Sequence, residues 1–389
     1  MFFDLASTSW DDDEIGAING VIASDRYTMG PKVAEFEKAF AAYFTKKYGV
    51  MVNSGSSANL ISVASLFYKK DRPLQRGDEV IVPAIAWATT YHPLHQYGLK
   101  MKVVDVELDT LNVDVSQLED ALTPNTRMIV GVSILGNPAA LDVMRDFADR
   151  HGLYFLEDNC ESADAELNGR KTGTFGDFNT FSFFFSHHIA TMEGGMILTD
   201  DEELYHLALS LRAHGWTRDL PAGSSIYESR NEDFFEAYRF ILPGYNVRPL
   251  ELSGAIGLEQ LKKLPQMTET RRKNLAVFQE LFGSDERFII QRENGRSSAF
   301  SFPIILNPEM NLDRERLFAD MKAANIGYRM ITGGNILRHD VIRHYEIEEV
   351  NKVVNADTAH NFGFFVGNHP KDLRPQIEKF RQIADKACA

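Results

Sequence analysis

The first two thirds of the chain alternate short apolar runs with segments whose apolar residues recur at helical spacing, as in α/β proteins built on a parallel sheet. Residues 32–47 (KVAEFEKAFAAYFTKK) carry the helical spacing. A strand is predicted over 48–52, then the turn Asn53-Ser54-Gly55-Ser56-Ser57, then a helix over 58–68. Further apolar runs predict strands at 79–83, 102–106, 128–133, 154–157, 180–185 and 196–199. The polar, turn-rich stretch 216–235 reads as a loop, and 251–264 (ELSGAIGLEQLKKL) as a helix. From about 265 the alternation starts afresh, with a strand at 300–306 and a helix at 314–324. The expectation is a large domain over 1–264 and a smaller one over 265–389, with no internal repeat.

Composition narrows the class. A 389-residue chain with 44% apolar and 25% charged residues has a globular balance and enough length for two domains. No apolar run reaches eighteen residues, so no membrane span is expected. The start, MFFDLASTSWDDDE, has no basic region and turns acidic at once, unlike a secretory signal. A formal net charge of −14 argues against a broad nucleic-acid surface. The only cysteines, Cys160 and Cys388, rule out a disulfide framework and point to a reducing cytoplasm. They also cannot supply the four thiolates of an iron–sulfur cluster, and no metal site is expected.

Three strand ends carry candidate chemistry. The turn 53–57 joins a strand to a helix. Gly55 permits close backbone approach, and Ser56 and Ser57 add hydroxyls beside the free N–H groups of a helix start, which suits a phosphate. A serine-rich helix cap accounts for the same residues. Asp158 closes the run FLEDNCES, where a carboxylate can partner a protonated pyridine nitrogen or cap a helix. Trp87, in VPAIAWATT, suits stacking on a flat ring or filling the core.

The segment 182–195, SFFFSHHIATMEGG, separates these alternatives. Its frame resembles that of the sugar aminotransferases, the DegT/DnrJ/EryC/StrS family of fold type I pyridoxal-phosphate enzymes: Ser-Phe-x-x-x-Lys-x-Ile/Leu, then Glu-Gly-Gly. The other matches fall in order along the chain. They are Ser54–Ser57, Trp87, Glu157-Asp158 and Gly244-Tyr245-Asn246-Val247-Arg248, and the resemblance runs from about residue 20 to the C-terminus. In the family the lysine of the frame forms the Schiff base with the cofactor, and here that position is His187. No lysine lies between Lys171 and Lys262, so a shifted alignment cannot restore one.

The resemblance implies an aspartate-aminotransferase-like fold, with a mostly parallel seven-stranded sheet and a smaller C-terminal α/β domain. It implies a homodimer with sites at the subunit interface, Asn246 reaching into the partner's site. Cofactor contacts fall on Gly55, Ser56, Ser57, Trp87, Asp158, Glu161 (beside the ring hydroxyl), Ser182 and Asn246. His214, Arg218 and Arg248 are candidates for substrate. Without the lysine, pyridoxal or pyridoxamine phosphate is expected to be held non-covalently, and His187 to move protons. His188 is assigned to structure or support, because neighbours on an extended chain point apart.

The variant His-His-Ile-x-x-Met-Glu-Gly-Gly at 187–195 is similar to that of the family's 3-dehydratases of keto-deoxysugars, as are RAHGWTRDLP, LPGYNVRPLE and NFGFFVGNHP. Of the two kinds, one carries a two-iron cluster, which two cysteines exclude. The other uses glutamate, released as 2-oxoglutarate. The implied substrate is a GDP-linked 4-keto-6-deoxyhexose bound for cell-surface polysaccharide. An ordinary sugar aminotransferase leaves His187 unexplained. A non-catalytic binding protein leaves unexplained why Asp158, Ser56, Ser57 and Trp87 are all present.

Overall fold

The computed structural model describes residues 2–230, 232–310 and 312–388. Seven strands in chain order build the main sheet: β1 (Tyr48–Val52), β2 (Glu79–Pro83), β3 (Lys100–Val104), β4 (Thr126–Val132), β5 (Tyr154–Asp158), β6 (Phe178–Ser182) and β7 (Gly195–Thr199). Their spatial order is β1-β7-β6-β5-β4-β2-β3. Only β7 runs antiparallel to its neighbours. Strands such as Val80–Val82 and Met128–Val132 are apolar and buried throughout, as expected of a sheet covered on both faces.

This is the expected fold, with one addition. An eighth strand, Ile347–Glu349, pairs in parallel with β3 at the sheet edge. It comes from the C-terminal third, so the chain returns to the large sheet late.

The predicted helix 251–264 runs on to Phe282, straight through the expected boundary at 264/265. Pro265 lies inside it without ending it. A proline costs a helix about 3 kcal/mol, yet Leu264, Met267, Arg271, Leu275, Phe278 and Phe282 keep one buried face going past it. That packing outweighs the local break. Beyond the helix, an antiparallel sheet of Phe288–Ile290, Ser301–Leu306, Gly363–Gly367 and Tyr328–Arg329 has its own core, with Phe278, Phe282, Phe302, Phe364 and Phe380. Phe3 packs into this second core. Among the described residues, no helix is long and apolar enough to cross a membrane.

What matters for function is direction. β1, β2, β5 and β6 all point the same way, so Val52, Pro83, Asp158 and Ser182 end at one edge of the sheet. In open α/β sheets that edge is where ligands bind.

Candidate active site

Asp158 lies at the floor of this edge, nearly fully buried. Its Oδ2 accepts from Asn59 Nδ2 at 2.8 Å and from Thr90 Oγ1 at 2.8 Å, and its Oδ1 from the Cys160 N–H at 3.2 Å. Asn59 is held in turn by the Thr180 hydroxyl at 2.6 Å. All three donors are neutral. They fix the carboxylate and leave its charge available to a cationic ring nitrogen.

Two helices start beside it. Gly55–Leu66 follows β1, and Ala88–Gln96 follows β2. Ser54 caps the first, accepting from the Ser57 N–H at 3.1 Å. Ser57 Oγ donates to Asn53 Oδ1 at 2.6 Å, and Ser56 Oγ meets Thr89 Oγ1 of the second helix at 2.9 Å. Hydroxyls and two helix N-termini thus converge, a setting that suits a phosphate. Gly55, expected to let the backbone approach a ligand, also has a packing reason to lack a side chain. A Cβ there would lie 2.5 Å from Ser182 Cβ and 3.0 Å from Cys160 Sγ, so the absent side chain lets the helix start pack on β6 and β5. Trp87, just before the second helix, is 58% exposed, which removes the core alternative.

Glu161 follows Asp158 on the turn after β5. Its Oε2 accepts from the Leu135 N–H at 2.9 Å and the Thr332 hydroxyl at 3.2 Å. Burial, helped by the charge of Asp158, pushes its carboxyl up to about 7.

The strand predicted over 180–185 stops at Ser182. The chain then turns, the His187 N–H donating to the Phe184 carbonyl at 2.9 Å. This corrects the extended geometry that would set His187 and His188 apart, because both rings face Phe300, at 5.2 and 5.8 Å between centroids. His187 Nδ1 lies 2.5 Å from the Cys160 carbonyl. A carbonyl only accepts, so Nδ1 carries the hydrogen and Nε2 keeps its lone pair. Burial pushes the His187 pKa down to about 4, with the Arg271 guanidinium acting the same way against the Cys160 bond and Asp158. The ring is therefore an unprotonated base at neutral pH. His188 is fully buried, donates from Nε2 to the Ser298 carbonyl at 3.1 Å, and burial holds it well below its usual pKa.

Gly55, Ser56, Ser57, Trp87, Asp158, Glu161, Ser182 and His187 thus gather at one edge. His214, Arg218, Asn246 and Arg248 form a flanking group. His214 has a left-handed φ of 64° and its N–H donates to the Tyr245 carbonyl at 2.6 Å. Arg218 covers Trp216 at 5.1 Å. Arg248 Nε donates to Asn246 Oδ1 at 3.0 Å, with Asn246 exposed. The groups are joined through the Asn53 N–H, which donates to the Val247 carbonyl at 2.9 Å.

The site also uses residues beyond the motifs. Asn59 lies one helical turn past Gly55, and Thr89 and Thr90 follow Trp87, so helical spacing could have pointed to all three. Phe300, Thr332 and Arg271 come from distant parts of the chain with no local signal.

Residues 8–378 match the DegT/DnrJ/EryC1/StrS aminotransferase family. The chain is 49% identical over 386 residues to GDP-4-keto-6-deoxy-D-mannose 3-dehydratase of Yersinia pseudotuberculosis, covering 99% of this chain and 98% of that protein. It superposes with a TM-score of 0.96 on a GDP-4-keto-6-deoxymannose-3-dehydratase holding a trapped PLP-glutamate geminal diamine, at 46% identity over 98% and 99% of the two chains. A histidine-to-asparagine mutant of such a dehydratase with bound GDP-perosamine superposes at 0.95, with 46% identity over 98% and 99%.

Proposed function

We propose that this chain, which belongs to the DegT/DnrJ/EryC1/StrS aminotransferase family, is a pyridoxal/pyridoxamine phosphate-dependent 3-dehydratase of GDP-4-keto-6-deoxy-D-mannose. It removes the C3 hydroxyl, giving GDP-4-keto-3,6-dideoxy-D-mannose, and glutamate restores the amine form of the cofactor. The balance closes as keto-sugar plus glutamate giving 3-deoxy keto-sugar, 2-oxoglutarate and ammonia. When bound, the cofactor supplies a primary amine for the C4 ketone and a ring that withdraws electrons.

The carrying observation is His187. It takes the place of the family's lysine, it is held by the Cys160 carbonyl, and its Nε2 lone pair is free. In our reading Nε2 takes a proton from the carbon bearing the amine and delivers it to the departing C3 hydroxyl. Asp158 keeps the ring nitrogen protonated by charge. Ser56 and Ser57 hold the phosphate, Trp87 covers the ring, and Glu161 meets its hydroxyl. Gly55 and Ser182 shape the floor. His214, Arg218 and Arg248 meet the nucleotide sugar.

A homodimer in which Asn246 enters the partner's site is part of the same proposal, as are a cytoplasmic setting and a product bound for colitose in lipopolysaccharide O-antigen. The division into a cofactor domain and a smaller C-terminal domain is proposed to fall within the long helix Glu251–Phe282. The test is mass spectrometry after adding GDP-4-keto-6-deoxy-D-mannose and glutamate. A product one oxygen lighter, formed together with 2-oxoglutarate, is expected. A product bearing a new amino group instead would make the protein an aminotransferase, and no product at all would make it a binding protein.

A further inference from the structure

The base His187 is held at Nδ1 by a backbone carbonyl, but one hydrogen bond leaves a ring free to swing about it. What limits that swing comes from the far side of the chain. Phe300 stands edge-on to His187, with centroids 5.2 Å apart and planes at 67°, and it touches His188 as well. Phe300 immediately precedes the small-sheet strand Ser301–Leu306.

The stretch that delivers it is anchored at every residue. Four successive carbonyls accept from side chains: Ser297 from Arg272 Nε at 2.8 Å, Ser298 from His188 Nε2 at 3.1 Å, Ala299 from Asn368 Nδ2 at 2.8 Å, and Phe300 from Arg271 Nη1 at 3.1 Å. Ala299 adopts a left-handed φ of 51°, a conformation that such anchoring sustains. The Phe300 N–H donates to the Leu135 carbonyl at 3.1 Å, and the Leu135 N–H donates to Glu161. A continuous set of contacts thus runs from Glu161 through Leu135 and Phe300 to His187, and back through Cys160 to Asp158.

We propose that Phe300 is a positioning residue for His187: its anchored ring fixes the imidazole with Nε2 toward the reacting carbon and keeps water from it. The catalytic meaning rests on the dehydratase reading above. Phe300 itself transfers no proton. The charged and titratable groups around His187 are Asp158 at the end of β5, Cys160 and Glu161 just after it, Arg271 on the long helix, and His188 on its own turn. Phe300→Leu leaves all of them in place and removes only the aromatic ring.

Two readouts test this. The first needs no substrate: histidine-selective nitrogen NMR of wild type and Phe300→Leu. Less apolar cover must raise the His187 pKa in the variant and weaken the preference for hydrogen on Nδ1. The second is turnover. Loss of orientation is expected to lower kcat by about 10- to 100-fold, with KM for sugar and glutamate little changed and the acidic limb of the pH profile moved upward. Phe300→Tyr, which keeps the ring, is expected to recover most of the rate. Phe300→Met takes the place of the leucine variant if that chain does not fold. An unchanged His187 titration, or a kcat loss matched by KM with the acidic limb unmoved, overturns the proposal. A wild-type enzyme that makes no 3-deoxy product while the titration shifts as stated overturns the reading of the reaction and leaves the positioning contact standing.

Discussion

In the proposed reaction one side chain, His187, sets the chemistry. His187 cannot form the covalent link that a lysine forms, but it is a free base at neutral pH with a defined tautomer. His187→Asn keeps size and polarity while losing the proton acceptor, and a loss of about 10² to 10⁴ in kcat is expected. A covalent adduct of cofactor and keto-sugar should accumulate, visible by absorbance, because the amine belongs to the cofactor. Native turnover in this variant would end the proposed role. Asp158→Asn is expected to keep the fold and abolish most turnover, since an amide still accepts from Asn59 and Thr90 but brings no charge to the ring nitrogen; a full rate would take Asp158 out of the site. The two titrating groups also act on stability in opposite senses. His187 falls from 6.5 to about 4 on folding, so its contribution is present above pH 6.5 and is lost as pH falls toward 4. Glu161 rises from 4.5 to about 7, so its contribution is present below pH 4.5 and is lost as pH rises through 7. The midpoint of Glu161→Gln minus that of wild type is therefore expected to grow between those limits, and a flat difference would refute the shift.

At the scale of elements, the site is made by strand ends and by the spacing between them. Gly55 is a tight point, because a Cβ would sit 2.5 Å from Ser182 Cβ. Gly55→Ala is expected to cost about 1–3 kcal/mol, as overpacking commonly does, and to weaken cofactor binding by pushing the helix start away from β6. Thermal unfolding and cofactor titration measure the two effects, and an unmoved midpoint would show that β6 yields instead. This half of the site is legible in the sequence, because Ser54–Ser57, Trp87, Asp158 and the 182–195 frame each follow an apolar run that reads as a strand. The support for His187 is not. Phe300 lies 113 positions after His187 by their numbers, and nothing near it marks a functional residue. The same holds for Thr332 beside Glu161. The long helix misleads for a different reason, since Pro265 reads locally as a break while the buried face on both sides of it carries the helix through.

At the scale of the whole molecule, the cofactor and the subunit arrangement make separate claims. With no lysine between Lys171 and Lys262, borohydride is expected to leave no cofactor on the chain, and prolonged dialysis to remove it; a stable adduct on any lysine would end the non-covalent reading. The proposed dimer draws its support from exposed surface. Asn246 is exposed, and the nearby segment leaves Phe234 83% exposed along with Phe235, Tyr238 and Phe240, while Trp87, Phe184 and Phe185 are open at the mouth of the site. The proposed two-fold pairing would cover this apolar surface and set each flanking group against the other copy. Subunit mixing tests the arrangement directly. In a mixed dimer of His187→Asn and Asn246→Ala subunits, a shared site leaves one centre with both residues intact and one with neither. Equal mixing after dissociation then restores roughly a quarter of wild-type activity, since half the dimers are mixed and each has one working centre. If Asn246 serves its own chain, every centre in every mixed dimer carries one defect, and activity stays at the level of the separate variants.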